Sequence, residues 1–570
     1  MVANYAWAPR KFESLAAILT DALCSQSGRG YRLAGISLLA FFGCVVAILC
    51  IWGSGPVAGP WNMAILLDGA WRILHGQVPH TDFHNPIGPV PYLLVAFGMR
   101  VAAPSTSSIP YGIALLLVLL LPCAWRIAAT RLPAILAWIV VLFIGVFIVS
   151  PRPLGAGIHE TSYGVIYNRE GYALTVILLI SVFLTRREDA KSADARDGLI
   201  AGLLLGALLY CKITYFAVAA ASTLVAFALA PKTRRWVVAC AAGLLAVCAL
   251  AYVAFHVSLR AYLADIAGAG AAQSTSMRVH FLIQSLLNNA TWIYLLVWSL
   301  GVWSWSVHRA GAESLPMARA WSMVQAWPLR AWLSSAWIVA VALLVSSGNA
   351  SQQGLDDPLF FTAAVIALET LRRHVPQTGQ LTYAASALLL LPVFCGAILA
   401  RDLASFGYSA VWSMRERPAY PQARHLHSAR LQDFFVPEST SHITAYWPAS
   451  EHPRRINDGI DLLRAHLKDG DTVTTIALAN PFSFALGLTP ARDGPLWWDL
   501  GISFDQKHFP PAEEYLGQTS LVMIPRRLGN GPGWSFETVD ALLEHYGNYL
   551  QAHFQEIGAN DTWILYRRRS

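Results

Sequence analysis

The chain has 570 residues, of which 55% are hydrophobic and 13% are charged, and its formal net charge is +7. Typical soluble domains carry about 25% charged residues, so this composition excludes an ordinary soluble protein. Most Lys and Arg residues lie in short loops between apolar runs, where they orient membrane helices. The positive charge therefore does not indicate nucleic-acid binding, and no nucleic-acid partner is predicted.

Apolar runs long enough to enter a bilayer recur along the first 400 residues, which predicts a mainly α, polytopic helical membrane protein. Loop parity allows only an even number of crossings between the predicted outside loops 54–88 and 151–171. The short run 89–103 is therefore expected to lie flat or half-enter, which leaves about 11 spans. The runs lie at 33–53, 89–103, 108–128, 132–150, 172–185, 198–211, 214–230, 236–256, 291–308, 331–347, 358–371 and 381–400.

Basic residues assign the sides of the membrane. Arg10, Lys11, Arg29 and Arg32 precede the first run, so the N-terminal segment 1–32 is predicted to be cytoplasmic. Further basic loops recur on the same side and leave three loops outside, together with everything after residue 400. The basic loops are 186–196, 232–235, 309–330 and 372–373, and the outside loops are 151–171, 257–290 and 348–357.

Composition changes after Ala400, which predicts a membrane domain at 33–400 and a small α/β domain at 401–570. Three segments read as short strands and two as amphipathic helices. The strands are Thr472–Leu478, Ser520–Ile524 and Trp563–Tyr566, and the helices are Ile456–Leu467 and Phe536–Gln555.

The first outside loop holds the richest pattern. A helical stretch, Trp61–Leu74, has apolar residues over most of its surface, as in a helix lying on a membrane. A G-x-x-P-x-x-D-F core follows, and a Pro-Gly-Pro entry then leads into the next apolar segment. This pattern resembles the integral-membrane glycosyltransferases with the GT-C fold, although His80 stands where that superfamily often has Tyr. The core is Gly76, Pro79, Asp82 and Phe83, and the entry is Pro86, Gly88 and Pro89.

The resemblance implies a transferase in the bacterial inner membrane that takes a sugar from a polyprenyl-phosphate-linked donor to a glycan or lipid acceptor at the outer face. It also implies a catalytic Asp just before the amphipathic helix, and Asn62 stands there instead. A neutral amide cannot act as a general base. Either Asp68 or Asp82 takes the role, or the activity is altered or lost.

The chemistry of the reaction also favours a carboxylate, because glycosyl transfer to a hydroxyl needs a base near the acceptor oxygen. Asp82 lies in the loop between helix and membrane, and Asp68 lies six residues after Asn62, not far off the same helix face. The alternatives are structural. Asp82 could be a turn-former that accepts backbone N–H bonds, and Asp68 a polar residue on the wet side of an interfacial helix.

His80, Asp82 and His84 form an H-x-D-x-H pattern. Alternate residues on an extended strand point the same way, so the three side chains could bind a divalent metal. Chance clustering of histidines in a polar loop is the commoner explanation, and no other cofactor is predicted.

Further donor or acceptor contacts are predicted in the second outside loop, at His159, Glu160, Tyr167, Asn168 and Arg169. A guanidinium binds phosphate oxygens bidentately, which makes Arg169 a candidate phosphate clamp, and the alternative is an Arg that reaches lipid headgroups.

Lys212 lies between two apolar runs and is predicted to face outward, where a polyprenyl phosphate would sit. The alternative is a lysine that simply ends a helix. His80, His84 and Asn62 complete the predicted substrate contacts.

Two other functions compete with the glycosyltransferase. A transporter or flippase of lipid-linked glycans would usually show repeat symmetry and charges buried within its spans, whereas here the polar residues gather at one face. A catalytically inactive relative that serves as an assembly partner is the other alternative, because Asn62 replaces the expected acid.

Overall fold

The computed structural model describes residues 27–187, 194–312, 317–348, 356–373, 390–437, 446–527 and 534–569. Helices dominate this part of the chain up to residue 415. In chain order they are α1 (Gly28–Trp52), α2 (Pro60–Leu74), α3 (Val90–Ala102), α4 (Ile109–Ala129), α5 (Ala134–Val149), α6 (Ile166–Phe183), α7 (Asp194–Cys211), α8 (Ile213–Leu229), α9 (Arg234–Phe255), α10 (Leu259–Ala272), α11 (Thr275–Asn288), α12 (Ala290–Ala312), α13 (Met317–Ser347), α14 (Pro358–Arg372) and α15 (Ala397–Arg415).

The C-terminal region is a small α/β unit, as predicted. Its helices are α16 (His452–Arg464), α17 (Phe482–Leu486), α18 (Ala512–Leu516) and α19 (Trp534–His553), and its strands are β1 (Val473–Thr475), β2 (Leu521–Pro525), β3 (Phe554–Ala559) and β4 (Trp563–Arg568). The sheet order is β1-β2-β4-β3, with β1 parallel to β2 and the other pairs antiparallel. All three predicted strands form, although the first ends at Thr475 instead of Leu478. The predicted helix over Phe536–Gln555 runs too far, because Phe554 already opens β3.

The helical part contains helices that are long and apolar enough to cross a bilayer, which confirms the predicted fold class, a mainly α membrane protein. Among the described residues, five helices are long and apolar enough to cross a membrane, and the pair α11–α12, bent by 54°, makes a sixth if it is one span. Large apolar side chains on these helices face outward, such as Leu245 and Val253 on α9, 66% and 71% exposed. Such surfaces suit lipid. The predicted number of about 11 spans stays a prediction.

Helix α3 has 13 residues. At 1.5 Å per residue it extends about 20 Å, well short of a hydrocarbon core of about 30 Å. It turns back on α4 with the two backbones in close contact. A Cβ on Gly98 would lie 2.0 Å from the carbonyl oxygen of Ser108, and one on Gly112 would lie 2.3 Å from that of Leu94. A short helix in a tight hairpin supports the expectation that this run half-enters the bilayer.

The segment 257–290, expected as an outside loop, is helical instead. Ser258 and Ser274 are the N-cap residues of α10 and α11, and their side chains accept hydrogen bonds from the N–H groups of Ala261 and Met277. Serine is among the preferred N-cap residues, so the two starts were readable in the sequence.

Buried ion pairs tie together the ends of helices that are remote in sequence. Arg152, which follows α5, pairs with Asp356 before α14 and with Asp402 on α15. Arg169 on α6 pairs with the same Asp402 carboxylate, and Arg401 pairs with Asp356. The two aspartates and Arg152 are at most 1% exposed. These pairs tie α15, which crosses the predicted boundary at residue 400, to the helices before it, and the boundary itself stays a prediction.

We expect Asp402→Asn to destabilise the protein by about 3–5 kcal/mol, because it leaves two buried guanidinium groups short of their counter-charge. The matched control is Asp540→Asn, which removes one partner of the exposed Arg527–Asp540 pair and should cost less than about 1 kcal/mol. Thermal unfolding in detergent micelles measures both. Equal shifts in the two variants would contradict a structural role for the Asp402 network.

Candidate functional site

Helix α2 lies between the membrane helices and the C-terminal unit. The Trp61 ring packs edge-on against Tyr446, with ring centroids 5.0 Å apart, and the Trp71 indole N–H donates to the Leu488 carbonyl oxygen at 2.9 Å. The apolar residues around most of α2 are therefore covered by protein on both sides. The sequence predicted a helix lying on the membrane, whereas the C-terminal unit packs over this helix.

Asp68 and Arg72 form a buried pair on α2. Arg72 Nε donates to Asp68 Oδ2 at 2.9 Å, and Arg72 Nη1 donates to the Ala491 carbonyl oxygen at 2.6 Å. Burial raises the pKa of Asp68, and the neighbouring Arg72 opposes that shift. At 1% exposure, Asp68 is not on a wet helix face, so that alternative is wrong. Its predicted role as base stays a prediction, although Arg72 already holds its carboxylate.

A double-mutant cycle separates a structural Asp68 from a catalytic one. We expect Asp68→Asn alone to cost about 3–5 kcal/mol, because Arg72 is left buried without its partner. Asp68→Leu combined with Arg72→Met should recover most of that stability, since apolar replacement of a whole buried pair is often neutral. Thermal unfolding measures the cycle. A double variant that is fully stable but inactive in sugar transfer would instead support the catalytic role.

The loop after α2 folds back into a tight turn around Asp82. Asp82 Oδ2 accepts the Val78 N–H at 2.7 Å, and Oδ1 pairs with Arg492 Nη1 of the C-terminal unit at 3.0 Å. His80, within the turn, has φ of 66°, a left-handed backbone that is uncommon outside glycine and costs about 1–3 kcal/mol. Asp82 thus occupies the turn-forming place named as its structural alternative, and its catalytic role stays a prediction.

The turn brings His80 and His84 onto one carboxylate that the sequence did not single out, Asp265 on α10. His80 Nδ1 lies 2.7 Å from Asp265 Oδ2, and His84 Nδ1 lies 2.8 Å from Asp265 Oδ1. The Asn85 N–H also donates to Asp265 Oδ2 at 3.1 Å. The three side chains are 0%, 32% and 10% exposed for His80, His84 and Asp265. We call these three side chains the histidine–aspartate cluster.

The predicted metal triad of His80, Asp82 and His84 does not form. The left-handed backbone at His80 breaks the alternation of an extended strand, so Asp82 faces Val78 while both histidines face Asp265. Within the described ranges, no group of three or more His, Cys, Asp or Glu side chains is arranged to hold a metal ion.

Lys212 lies close to the same junction. It interrupts the helix between α7 and α8 with an extended backbone, and its ammonium lies 5.2 Å from the centre of the Tyr167 ring. The Gly88 N–H, just after the histidines, donates to the Cys211 carbonyl oxygen at 3.1 Å. Tyr262 of α10 packs on His80 with ring centroids 4.6 Å apart. The first outside loop, the break at Lys212 and α10 therefore meet at one place.

Arg169 lies in the buried ion network instead of facing a free phosphate. Its guanidinium donates to both Asp402 oxygens, at 3.0 and 2.9 Å, and to the carbonyl oxygens of Phe147 and Arg152, at 2.7 and 2.8 Å. Arg169 is 3% exposed, so the alternative of an Arg that reaches lipid headgroups is wrong. Arg152, Asn168 and Arg169 line a small pocket. The phosphate-clamp role stays a prediction.

The remaining predicted contacts are spread around the second outside loop. Asn62 packs against the backbone at Gly164, and Asn168 accepts a hydrogen bond from the Tyr215 hydroxyl at 3.4 Å. His159 packs on Tyr408, and the Gly157 N–H donates to Glu160 at 3.4 Å. Tyr167 of this loop contacts Lys212 through its ring, and the substrate contacts of the other predicted residues stay predictions.

Asp265 was missed because it stands alone in a run rich in Ala and Gly, Leu259–Ala272. One signal in the sequence does mark Asp265. It is an acid in a predicted outside segment, and no Lys or Arg lies within four residues of it. Arg152, Asp356 and Asp402 were missed as well. Their partners are hundreds of positions away, so no local pattern joins them.

No protein family and no curated protein matches this sequence. Among solved structures, the chain is similar to ArnT from Cupriavidus metallidurans bound to undecaprenyl phosphate, with 13% identity over 93% of this chain and 98% of that one, and a TM-score of 0.44. It is also similar to the apo state of the same protein, with 12% identity over 94% and 98% of the chains and a TM-score of 0.41.

Proposed function

We propose that this protein is a membrane glycosyltransferase that moves a sugar from a polyprenyl-phosphate-linked donor to a glycan or lipid acceptor. The reaction takes place at the outer face of the bacterial inner membrane, with the N-terminus in the cytoplasm and the C-terminal unit in the periplasm. The observation that carries the proposal is that the loop holding the histidine–aspartate cluster is hydrogen-bonded, through Gly88, to the helix break beside Lys212.

That junction offers the two things the reaction needs. A lipid-linked donor has its phosphate at the membrane surface, and a cation there stabilises the phosphate that leaves when the sugar is transferred. Lys212 supplies the cation at a helix break. The acceptor hydroxyl needs a proton-accepting group on the opposite side of the sugar carbon. The histidine–aspartate cluster supplies titratable groups for this role.

The resemblance of the Pro60–Leu94 segment to GT-C glycosyltransferases is the second support, and the structure gives its residues a physical role. The amphipathic helix and the turn around Asp82 carry the histidines to α10 and place the loop against the α7–α8 break. A flippase would need a path for a polar headgroup through the helical region. The buried charges described here are locked in ion pairs at the helix ends, which does not favour such a path.

The test is sugar transfer by the full-length protein in nanodiscs, using a panel of undecaprenyl-phosphate hexoses and pentoses labelled in the sugar. Membranes from a strain lacking the gene supply the acceptor, and lipid-extractable and glycan-bound label are counted separately. We expect at least one donor to lose its sugar to an acceptor only when the protein is present. No transfer from any donor, with intact folding, would contradict the proposal.

Lys212→Met should weaken binding of undecaprenyl phosphate about 10- to 100-fold, because it removes one charged contact to phosphate. Lys212→Arg should retain most of the affinity. Arg235→Met, which removes an exposed cation at the start of α9, is the matched control and should bind as the unmodified protein does. Binding is measured by competition with a fluorescent polyprenyl phosphate in nanodiscs. Unchanged affinity in Lys212→Met would remove Lys212 from the donor site.

The inactive assembly partner remains the second candidate, because Asn62 cannot act as a base. Asn62→Asp distinguishes the two functions. If transfer appears only in this variant, the natural chain is an inactive relative. If the natural chain already transfers sugar and the variant does not exceed it, another residue accepts the proton.

A further inference from the structure

We infer that His84 is the general base for the acceptor hydroxyl, and that Asp265 is the residue that positions it. This inference rests on the proposed function and names the group that replaces the missing carboxylate at position 62. Two observations support it. One is the geometry of the loop after α2, and the other is that Asp68 and Asp82, the two carboxylates favoured from the sequence, already pair with arginines.

Asp265 determines which nitrogen of His84 is available. A carboxylate accepts hydrogen bonds, so the 2.8 Å contact requires a proton on His84 Nδ1 and leaves Nε2 as the acceptor in the neutral ring. The carboxylate also stabilises the imidazolium that forms when Nε2 takes a proton. An aspartate that orients a histidine in this way is a recurring arrangement in acid–base catalysis.

The two carboxylates named from the sequence are bound elsewhere. Arg72 holds Asp68 in a pair that is at most 4% exposed, and the Val78 N–H and Arg492 hold Asp82. Protonating Asp68 would leave the buried Arg72 guanidinium without its counter-charge, and protonating Asp82 would weaken its pair with Arg492. His84 is 32% exposed and needs no such rearrangement.

The groups that face His84 all favour its protonated form. The hydrogen bond to Asp265 raises the pKa of His84, burial works against the shift, and the charges of Asp265, Glu514 and Asp493 add to it. Glu514 belongs to α18, and its Oε1 lies 3.7 Å from His84 Nε2. The reactive nitrogen therefore faces the C-terminal unit, which is the side from which an acceptor would approach.

His80 has a different place in the cluster. It donates to the same carboxylate but is 0% exposed, with Tyr262 packed on its ring. Together with the Asn85 N–H, it keeps the Asp265 carboxylate ionised, because hydrogen bonds from both histidines lower the pKa of Asp265 against the effect of burial. His80 thus positions Asp265, and Asp265 positions His84.

His84 Nε2 takes the proton of the acceptor hydroxyl while its oxygen forms a bond to the anomeric carbon of the sugar. The bond between that carbon and the phosphate oxygen breaks, and the electron pair leaves with polyprenyl phosphate. The proton stays on His84 until water accepts it. One base is enough, because a phosphate leaving group needs little help from an acid.

The test compares four variants in the transfer assay, His84→Gln, His84→Ala, Asp265→Asn and the matched control His427→Gln. His427 Nδ1 lies 2.8 Å from Asp461 Oδ2, so it has the same partner chemistry on the surface of the C-terminal unit. We expect His84→Gln to lower kcat/KM about 10²- to 10⁴-fold, as loss of a general base does. Added imidazole should restore part of the activity in His84→Ala, and His427→Gln should match the unmodified protein.

The pH profile separates positioning from mere structural support. A base must be unprotonated, so kcat/KM should fall as pH drops below the raised pKa of His84. Asp265→Asn removes the main cause of that raised pKa, so the acid limb of its profile should move to lower pH. A variant that is only less stable would keep the limb in place. Hydrogen–deuterium exchange at the histidine ring carbon, followed by mass spectrometry, reads the pKa of His84 without any substrate.

The outcomes are distinct. Transfer by the unmodified protein with full activity in His84→Gln would overturn the inference and leave the proposed function standing. Absence of transfer from every donor would overturn the proposed function, and the base role with it. An Asp265→Asn protein whose His84 titrates as in the unmodified chain would show that Asp265 does not position His84.

Discussion

A charge that folding takes out of water must find a partner, and this constraint organises the whole protein. An unpaired buried ion costs several kcal/mol, and lipid offers it no solvation. The chain meets the requirement with pairs that join distant segments. Asp402 pairs with Arg152, which follows α5, and with Arg169 on α6, and Asp82 of the first outside loop pairs with Arg492 of the C-terminal unit. The helical region and the C-terminal unit are therefore held in register by charges as well as by apolar contact.

The same constraint decides which acids are available for chemistry. A carboxylate that compensates a buried guanidinium is committed, since releasing it leaves the guanidinium unpaired. Asp265 differs because its partners are imidazoles, whose charge depends on pH and whose protons can move. The pairing that stabilises α10 against the first outside loop is thus also the pairing that sets the tautomer of His84. Stability and proton transfer are thus linked at Asp265, because an imidazole partner can release its proton and a guanidinium cannot.

The sequence predicted the helical membrane region, the α/β character of the C-terminal unit and the importance of the first outside loop, because these depend on periodicity and local composition. It predicted His80 and His84 as site residues, but it joined them to Asp82 by assuming an extended strand. The positive φ at His80 changes that geometry, and a backbone of this kind in a non-glycine residue leaves no reliable trace in one sequence. Asp265, about 180 positions away, could be connected to the histidines only through tertiary structure.

Backbone hydrogen bonds between the first outside loop and the C-terminal unit hold that unit against His84. The His84 N–H donates to the Gly494 carbonyl oxygen at 3.1 Å, and the Leu496 N–H donates to the His84 carbonyl oxygen at 2.8 Å. The peptide groups on both sides of the His84 side chain are therefore fixed by the unit that also carries Glu514. His84 Nε2 faces that unit, with Glu514 Oε1 3.7 Å away. The C-terminal unit is then part of the site, because the residues that cover His84 also hold its backbone in place.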